Sequence, residues 1–310
     1  LTDRRGWWRG FQVFLALLVL VLVTRSLFRQ WDAFKAQEIS WEPHVGRLVA
    51  AVVIVWLSYA VLVEGWRRVV LAMRQRLSYP DAVRICMVSN LGKYLPGKVW
   101  AIAGAALLAQ RAGVDAGAAV AGAFTLQALA LASGLILIAF LAPAAIVALG
   151  PAARVALAVV AGVALVGLIL LTLPGLLGRV RLLLPEALQG LQAVPAATLA
   201  GGLGANLVAW GAYGLALQML LRGLTPGADL TWSQATAVFT TSYLVGLIAA
   251  FAPGGLGPRE FAFTLLLTPT LGPKLAAAMA VATRLLLTIT ELGAAAPFLP
   301  AARRSLRTPG

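Results

Sequence analysis

The sequence predicts an all-α polytopic membrane protein, with about six full spans plus two opposed re-entrant helical hairpins in an inverted-repeat arrangement. Three observations predict it. The chain is 61% hydrophobic and only 12% charged, whereas a soluble domain is about a quarter charged; several apolar runs reach the roughly 20 residues that cross a bilayer. Two proline-glycine breaks interrupt apolar segments about half the chain apart. They read Asn90-Leu91-Gly92-Lys93-Tyr94-Leu95-Pro96-Gly97-Lys98-Val99-Trp100 and Phe251-Ala252-Pro253-Gly254-Gly255-Leu256-Gly257-Pro258-Arg259-Glu260-Phe261. Basic residues, finally, concentrate in alternate loops.

Taken in order, apolar helices are expected at about 9–28, 47–65, 117–141, 152–173, 197–221 and 275–299. Phe11 to Val23 is followed by Thr24-Arg25-Ser26 with no small-residue cleavage site, so it reads as an anchor rather than a secretory signal. The broken regions, about 81–110 and 232–271, fall between these spans. Residues 81–95 as helix would rise only about 22 Å, short of roughly 30 Å of hydrocarbon. The leg at 232–252 is long enough to cross fully. Residues 1–310 form a single integral membrane domain, with pseudo-repeat halves at about 1–173 and 196–300. The linker at about 174–195 is punctuated by Pro174, Pro185 and Pro195. Gly201-Gly202-Leu203-Gly204 reads as a small-residue packing face. Trp31, Trp41, Trp56, Trp66, Trp100 and Trp232 suit interfacial belts.

Charge sets the orientation. Fourteen Lys and Arg residues lie at the two ends and in loops of one parity, against seven in the alternate loops. The positive-inside rule then puts both termini in the cytoplasm of a bacterial-type inner membrane. Residues 66–80 and 111–116 fall inside, and 222–231 and 272–274 outside, so each broken region enters and leaves on one face. The net charge of +14 belongs to this topology and to anionic headgroups rather than to nucleic acid. Cys86 is the one cysteine and His44 the one histidine. That excludes an intrachain disulfide and a cysteine metal cluster, and no metal or other cofactor is expected.

The breaks carry the chemistry. Proline stops the preceding helix because it has no N–H, and glycine opens backbone conformations closed to other residues. Irregular backbone at membrane depth survives only where protein or a wet cavity satisfies it. A half-helix that begins after such a break points free N–H groups inward and favours an anion. Pro96, Gly97, Pro253, Gly254 and Gly255 would shape the site, and Lys93, Lys98 and Arg259 would supply cations to a phosphate. Lys93 and Lys98 could instead snorkel to the interface. Arg259 and Glu260 are adjacent in a helix and cannot face each other, so each needs a separate partner. Arg284 and Glu291, seven apart on one face of the last span, are the candidates. Asn90, Gln127, Asn206, Gln218 and Thr240-Thr241-Ser242-Tyr243 are expected to make interhelical hydrogen bonds.

These motifs resemble a known family. Asn90 to Trp100 is similar to the first signature of the lysylphosphatidylglycerol synthase transmembrane family. Ala252 to Glu260 is similar to the second, Pro-Gly-Gly-x-Gly-x-Arg-Glu, with Pro258 at a variable site. The resemblance covers about 10–300. It implies movement of a lipid between leaflets, an aminoacyl-phosphatidylglycerol or a polyprenyl-phosphate-linked sugar. No aminoacyl-transferase domain accompanies these spans in the sequence, which leaves the cargo open.

The function expected is therefore a lipid flippase or scramblase and not an enzyme, with Lys93, Pro96, Gly97, Lys98, Pro253, Gly254, Gly255, Arg259, Glu260, Arg284 and Glu291 as substrate-binding residues. Glu260 and Glu291 are the candidate proton carriers. No Gly-x-x-x-x-Gly-Lys-Ser/Thr is present, so transport would be passive or gradient-driven. A polyprenyl-phosphate-dependent glycosyltransferase is the alternative, resting on Asp32, Glu38 and Glu42 in the first outer loop. A non-transporting partner of a separate lipid-modifying enzyme is the third reading. Small-residue faces permit a homodimer.

Overall fold

The computed structural model describes residue 39, residues 41–94 and 99–141, isolated positions between 151 and 175, and residues 193–249 and 255–299. Among them there is no strand. The helices are α1 (Val45–Ala72), α2 (Tyr79–Asn90), α3 (Val99–Arg111), α4 (Ala116–Leu141), α5 (Ala196–Leu224), α6 (Trp232–Ile248) and α7 (Pro258–Ala295). Short 3-10 turns follow α2 at Leu91–Tyr94 and α7 at Ala296–Phe298. Among the described residues, four helical runs are long and apolar enough to cross a membrane: α1, α4, α5 and the run from Pro258 to Phe298.

Local chemistry sets the boundaries. Ser78 caps α2, its Oγ accepting the Asp81 N–H at 3.2 Å, and Pro80 sits in the first turn, where its missing N–H is harmless. Thr231 caps α6 in a reciprocal pair with Gln234. Pro258 opens α7, and the Glu260 carboxylate accepts the Gly257 N–H at 2.8 Å. With 12 and 13 residues, α2 and α3 are about 18 and 20 Å long.

Three of the expected spans, 47–65, 117–141 and 197–221, lie inside α1, α4 and α5. The span at 9–28 lies outside the described residues. Between 152 and 173, isolated described positions such as Val155, Val159 and Val163 are helical and exposed. The expected outer loop at 272–274 is instead a kink. Gly272 alone is non-helical, at φ 74° and ψ 161°, and Pro273 starts the next helical stretch. One left-handed residue and one proline turn the chain without a loop. The leg expected at 232–252 ends at Ile248, after 17 residues.

Loops meet at two ends of the bundle. At one, the Glu42 N–H donates to Leu224 O at 3.1 Å and the His44 N–H to Gly223 O at 2.8 Å. A hollow of about 640 Å³ there is lined by Glu42, Thr225–Ala228 and Leu271–Leu275. At the other, the Asp115 N–H donates to Gln75 Oε1 at 2.9 Å, and Met73, Ala118, Val194 and Leu199 share one buried cluster. The chain before α2 and the chain after α3 therefore sit together, and so do the chain before α6 and the kink at Gly272.

The main core joins α1, α4, α5, α6 and α7 through Val55, Ile138, Leu217, Leu244, Phe263 and Met279. A second cluster seats α2 and α3 on α1 through Ile85, Ala105, Leu108, Trp66 and Val70. Outward residues are apolar as well: Val45, Val49 and Val53 on α1, Phe140 on α4, and Phe261 and Ile289 on α7 are all exposed. An apolar exterior around a packed apolar core is what lipid as solvent demands. Within the expected small-residue face, Gly202 lies against Leu129, while Gly201 and Gly204 have open space beside them.

Helix α6 meets the start of α7 backbone to backbone. Gly255 has φ 73°, and a Cβ on it would lie 3.0 Å from Gly246 Cα and 3.1 Å from Gly246 O. Gly255→Ala is expected to destabilise the fold by about 2–4 kcal/mol, combining left-handed strain with overpacking. The check is the thermal midpoint of the purified protein in detergent; an unchanged midpoint would refute the contact.

Candidate functional site

A cavity of about 370 Å³ lies among α1, the α2–α3 pair, α4, α5, α6 and α7. Its walls are mostly apolar, with Trp66, Ile85, Ala105, Phe124 and Leu287 among them, and Asn90, Gln127 and Asn206 add polar groups. Among its described lining residues only Lys93, Arg259 and Glu291 carry charge.

Lys93 stands on the 3-10 turn that leads into the first break. Its ammonium pairs with the Glu291 carboxylate on α7, joining positions 198 apart. The Tyr94 hydroxyl donates to the other Glu291 oxygen at 2.6 Å and lies 3.3 Å from Thr288 Oγ1. One turn of α7 is thus tied to the first break by an ion pair and a phenol. The same turn is tied to α1, because Trp56 Nε1 donates to Thr290 O at 3.0 Å and the Tyr59 hydroxyl lies 3.1 Å from Thr290 Oγ1. Snorkelling, the other reading of Lys93, does not occur here: the ammonium is turned inward onto Glu291.

Arg259 and Glu260 go separate ways, as adjacent helical residues must. Glu260 pairs with Arg284 at 3.5 Å while its second oxygen caps α7, and neither residue lines the cavity. Arg259 is 8% exposed. Its guanidinium carbon lies 5.2 Å from the Phe239 ring centroid and 5.6 Å from that of Tyr243. Among the described residues no carboxylate pairs with it, and its Nη2 is buried without a hydrogen-bond partner. Cation–π contact offsets part of the desolvation of a guanidinium, yet it satisfies no N–H.

Of the residues singled out in the sequence, the fold gathers Lys93, Arg259 and Glu291 around one cavity and sets the Glu260–Arg284 pair apart from it. Gly255 packs on Gly246, which in turn lies against the Arg259 side chain. Pro96, Gly97, Lys98, Pro253 and Gly254 lie outside the described residues, as do Asp32 and Glu38. Glu42 lines the hollow at the end of the bundle instead. Arg284 and Glu291 do not both serve the second break: Glu291 crosses to Lys93. Trp66 is buried, its Nε1 donating to Ala119 O at 3.4 Å, and lines the cavity rather than an interface. The expected interhelical hydrogen bonds take other forms. Asn206 bonds Gly202 O in its own helix and Gln218 bonds Leu230 O in the next loop, while the Thr240, Thr241 and Ser242 hydroxyls have no partner.

Sequence reasoning missed an aromatic wall. Tyr213 stacks on Phe239 with centroids 4.8 Å apart, Trp210 meets the edge of Tyr243 at 5.2 Å, and Tyr59 abuts Tyr213 at 6.5 Å. Scattered aromatics in apolar runs look like lipid-facing residues, and Tyr243, the one member of the wall singled out in the sequence, reads there as an interhelical hydrogen-bonding residue.

A family model for the lysylphosphatidylglycerol synthase TM region matches residues 11–294. The chain belongs to that family. The match takes in both breaks, the cavity and nearly all of α7. No curated protein matches the chain. As a member of the lysylphosphatidylglycerol synthase TM family it is a multi-pass membrane protein with a membrane-lipid-related role.

Proposed function

We propose that the protein is a non-enzymatic lipid flippase or scramblase that moves a phosphate-bearing lipid between leaflets. The observation that carries this reading is Arg259, a buried guanidinium with an unsatisfied N–H, facing a cavity inside an apolar helical bundle. Such a group is costly unless a ligand uses it, and ionisable residues inside membranes mark transport paths. The wall around it could hold a headgroup while acyl chains stay in lipid.

The architecture proposed with it is an inverted pair. Helices α2 and α3 are too short to cross roughly 30 Å of hydrocarbon and have their outer ends together, which supports a hairpin re-entering from the cytoplasm. Helix α6 and the first part of α7, up to Gly272, form the opposed hairpin. Both termini lie in the cytoplasm of a bacterial-type inner membrane. The Lys93–Glu291 pair links the two halves, and Lys93 exchanging Glu291 for the lipid phosphate would couple binding to rearrangement.

The test uses purified protein in liposomes containing fluorescent phospholipid and an added membrane-impermeant quencher. Quenching beyond the one-leaflet plateau, abolished by Arg259→Ala and by Lys98→Ala, is the expected result. Quenching that stops at one leaflet for phosphatidylglycerol, its lysyl form and a short polyprenyl-phosphate sugar, with and without an imposed proton gradient, would sink the reading.

A further inference from the structure

We propose that a groove between α1, α2 and the end of α7 takes one hydrocarbon chain of the lipid whose headgroup enters the cavity, with Tyr59, Val63 and Met87 as the lateral screen between the two. This rests on reading the cavity as a lipid site, and it assigns that lipid a side of the bundle by which to come and go.

Trp56, Ala60, Tyr79, Val83 and Ala294 are among the residues that line the groove. Tyr59, Val63 and Met87 line it too, and on their other side they line the cavity. None of its described lining residues is charged. The polar tips that reach it are already engaged. The Tyr79 hydroxyl donates to Ala60 O at 3.2 Å, Trp56 Nε1 donates to Thr290 O at 3.0 Å, and the Tyr59 hydroxyl lies 3.1 Å from Thr290 Oγ1. A phosphate or a peptide finds no partner on such a wall, and a methylene chain needs none. The volume of about 310 Å³ is the room of about ten waters, and a methylene takes nearly the same space as a water. Trp56 and Pro297 on the rim are exposed, so the groove is open on its outer side.

A chain gains little by leaving lipid for an apolar groove, because lipid is as apolar as the wall. The groove therefore retains a particular lipid only when something else holds it, and the charged cavity behind the screen does so. The screen suits passage. Met87 is unbranched and changes rotamer readily, and Tyr59 is fixed at its tip by one hydroxyl contact. Ala60, Gly293 and Ala294 keep the walls low beside them. One end of the groove reaches a polar rim: Tyr79 opens α2, and one turn beyond Ala60 the Glu64 carboxylate pairs with Arg67 and Arg68. Paired charges of that kind belong at the headgroup level. In the orientation proposed above this is the cytoplasmic leaflet, so the groove meets lipid from that leaflet.

The experiment maps contacts by photocrosslinking of the full chain in phosphatidylcholine liposomes. Phosphatidylglycerol and its lysyl ester each carry a diazirine midway along one acyl chain, and mass spectrometry locates the adducts. With at least one of the two lipids, adducts are expected on Val83, Met87 and Ala294. Excess deacylated headgroup, or Arg259→Gln, should lower them about 10-fold, the effect of one charge-assisted hydrogen bond. Adducts on the exposed Val45 and Val49 of α1 should not change. Groove adducts that neither treatment moves are ordinary surrounding lipid and overturn the inference, as does their absence with both lipids. Val83→Trp narrows the groove at a residue outside the cavity lining and should slow transport about 10-fold; undiminished transport by the folded variant also overturns the inference. Headgroup-dependent groove adducts without transport in liposomes defeat the flippase reading alone. Transport accompanied by headgroup-independent adducts defeats the groove assignment alone.

Discussion

Lys93→Met lowers stability more than Glu291→Gln does, and the double variant recovers much of what Lys93→Met loses. The Glu291 side chain is 6% exposed and that of Lys93 30%. Removing the lysine strands a buried carboxylate, a loss on the order of 3–5 kcal/mol. The Tyr94 hydroxyl at 2.6 Å keeps one hydrogen bond and moves the expectation to the lower end. Removing the carboxylate charge instead leaves an ammonium that water in the cavity can reach, a loss of about 1–2 kcal/mol. With both charges gone the hollow is neutral, so the two effects are strongly non-additive. Thermal unfolding in detergent, followed by tryptophan fluorescence, reads all four chains. Additive losses would show that the two groups do not act as a pair.

Arg259 is expected to behave in the opposite sense. Arg259→Met keeps the length of the side chain and removes a buried cation whose Nη2 has no partner. An arginine in a bilayer costs about 2.5–3.5 kcal/mol on insertion scales, and cation–π contact with Phe239 and Tyr243 returns about 0.5–2 kcal/mol. The variant should be as stable as the native chain, or more stable by about 1 kcal/mol, while lipid transport falls about 10- to 100-fold. A group that costs stability and supports activity is the signature of a functional residue. If Arg259→Met instead unfolds the protein at lower temperature in step with lost transport, the guanidinium is structural.

Much of this site was visible as pattern. The two breaks, the charges beside them and the rule that Arg259 and Glu260 must diverge all follow from residue type and helical geometry. The Glu260–Arg284 pairing was among the options they left. The Lys93–Glu291 pair was not, because nothing local relates positions 198 apart; Lys93 reads as a phosphate ligand or a snorkelling lysine and Glu291 as a partner for the second break, and only the fold brings the two together. Helix α7 shows the same limit. Gly272 and Pro273, in the loop expected at 272–274, each disfavour helix, yet a single positive φ at Gly272 absorbs the whole turn. Trp66 misled for a different reason. Tryptophan at the end of an apolar run suits an interface and a core equally, and the contact with Ala119 that settles it comes from another helix.

The fastening of α7 has a consequence for how the chain is made. Its contacts to Trp56, Tyr59, Lys93 and Tyr94 reach back 234, 231, 198 and 197 positions. Synthesis runs from the N-terminus, and closing such long loops waits on the late segment. Lys93 therefore leaves the ribosome long before Glu291 exists, and the cavity gains its last wall only when α7 docks. A chain interrupted before Thr288 keeps an uncompensated lysine in an apolar bundle, so completeness of synthesis is recorded in the charge balance of the cavity.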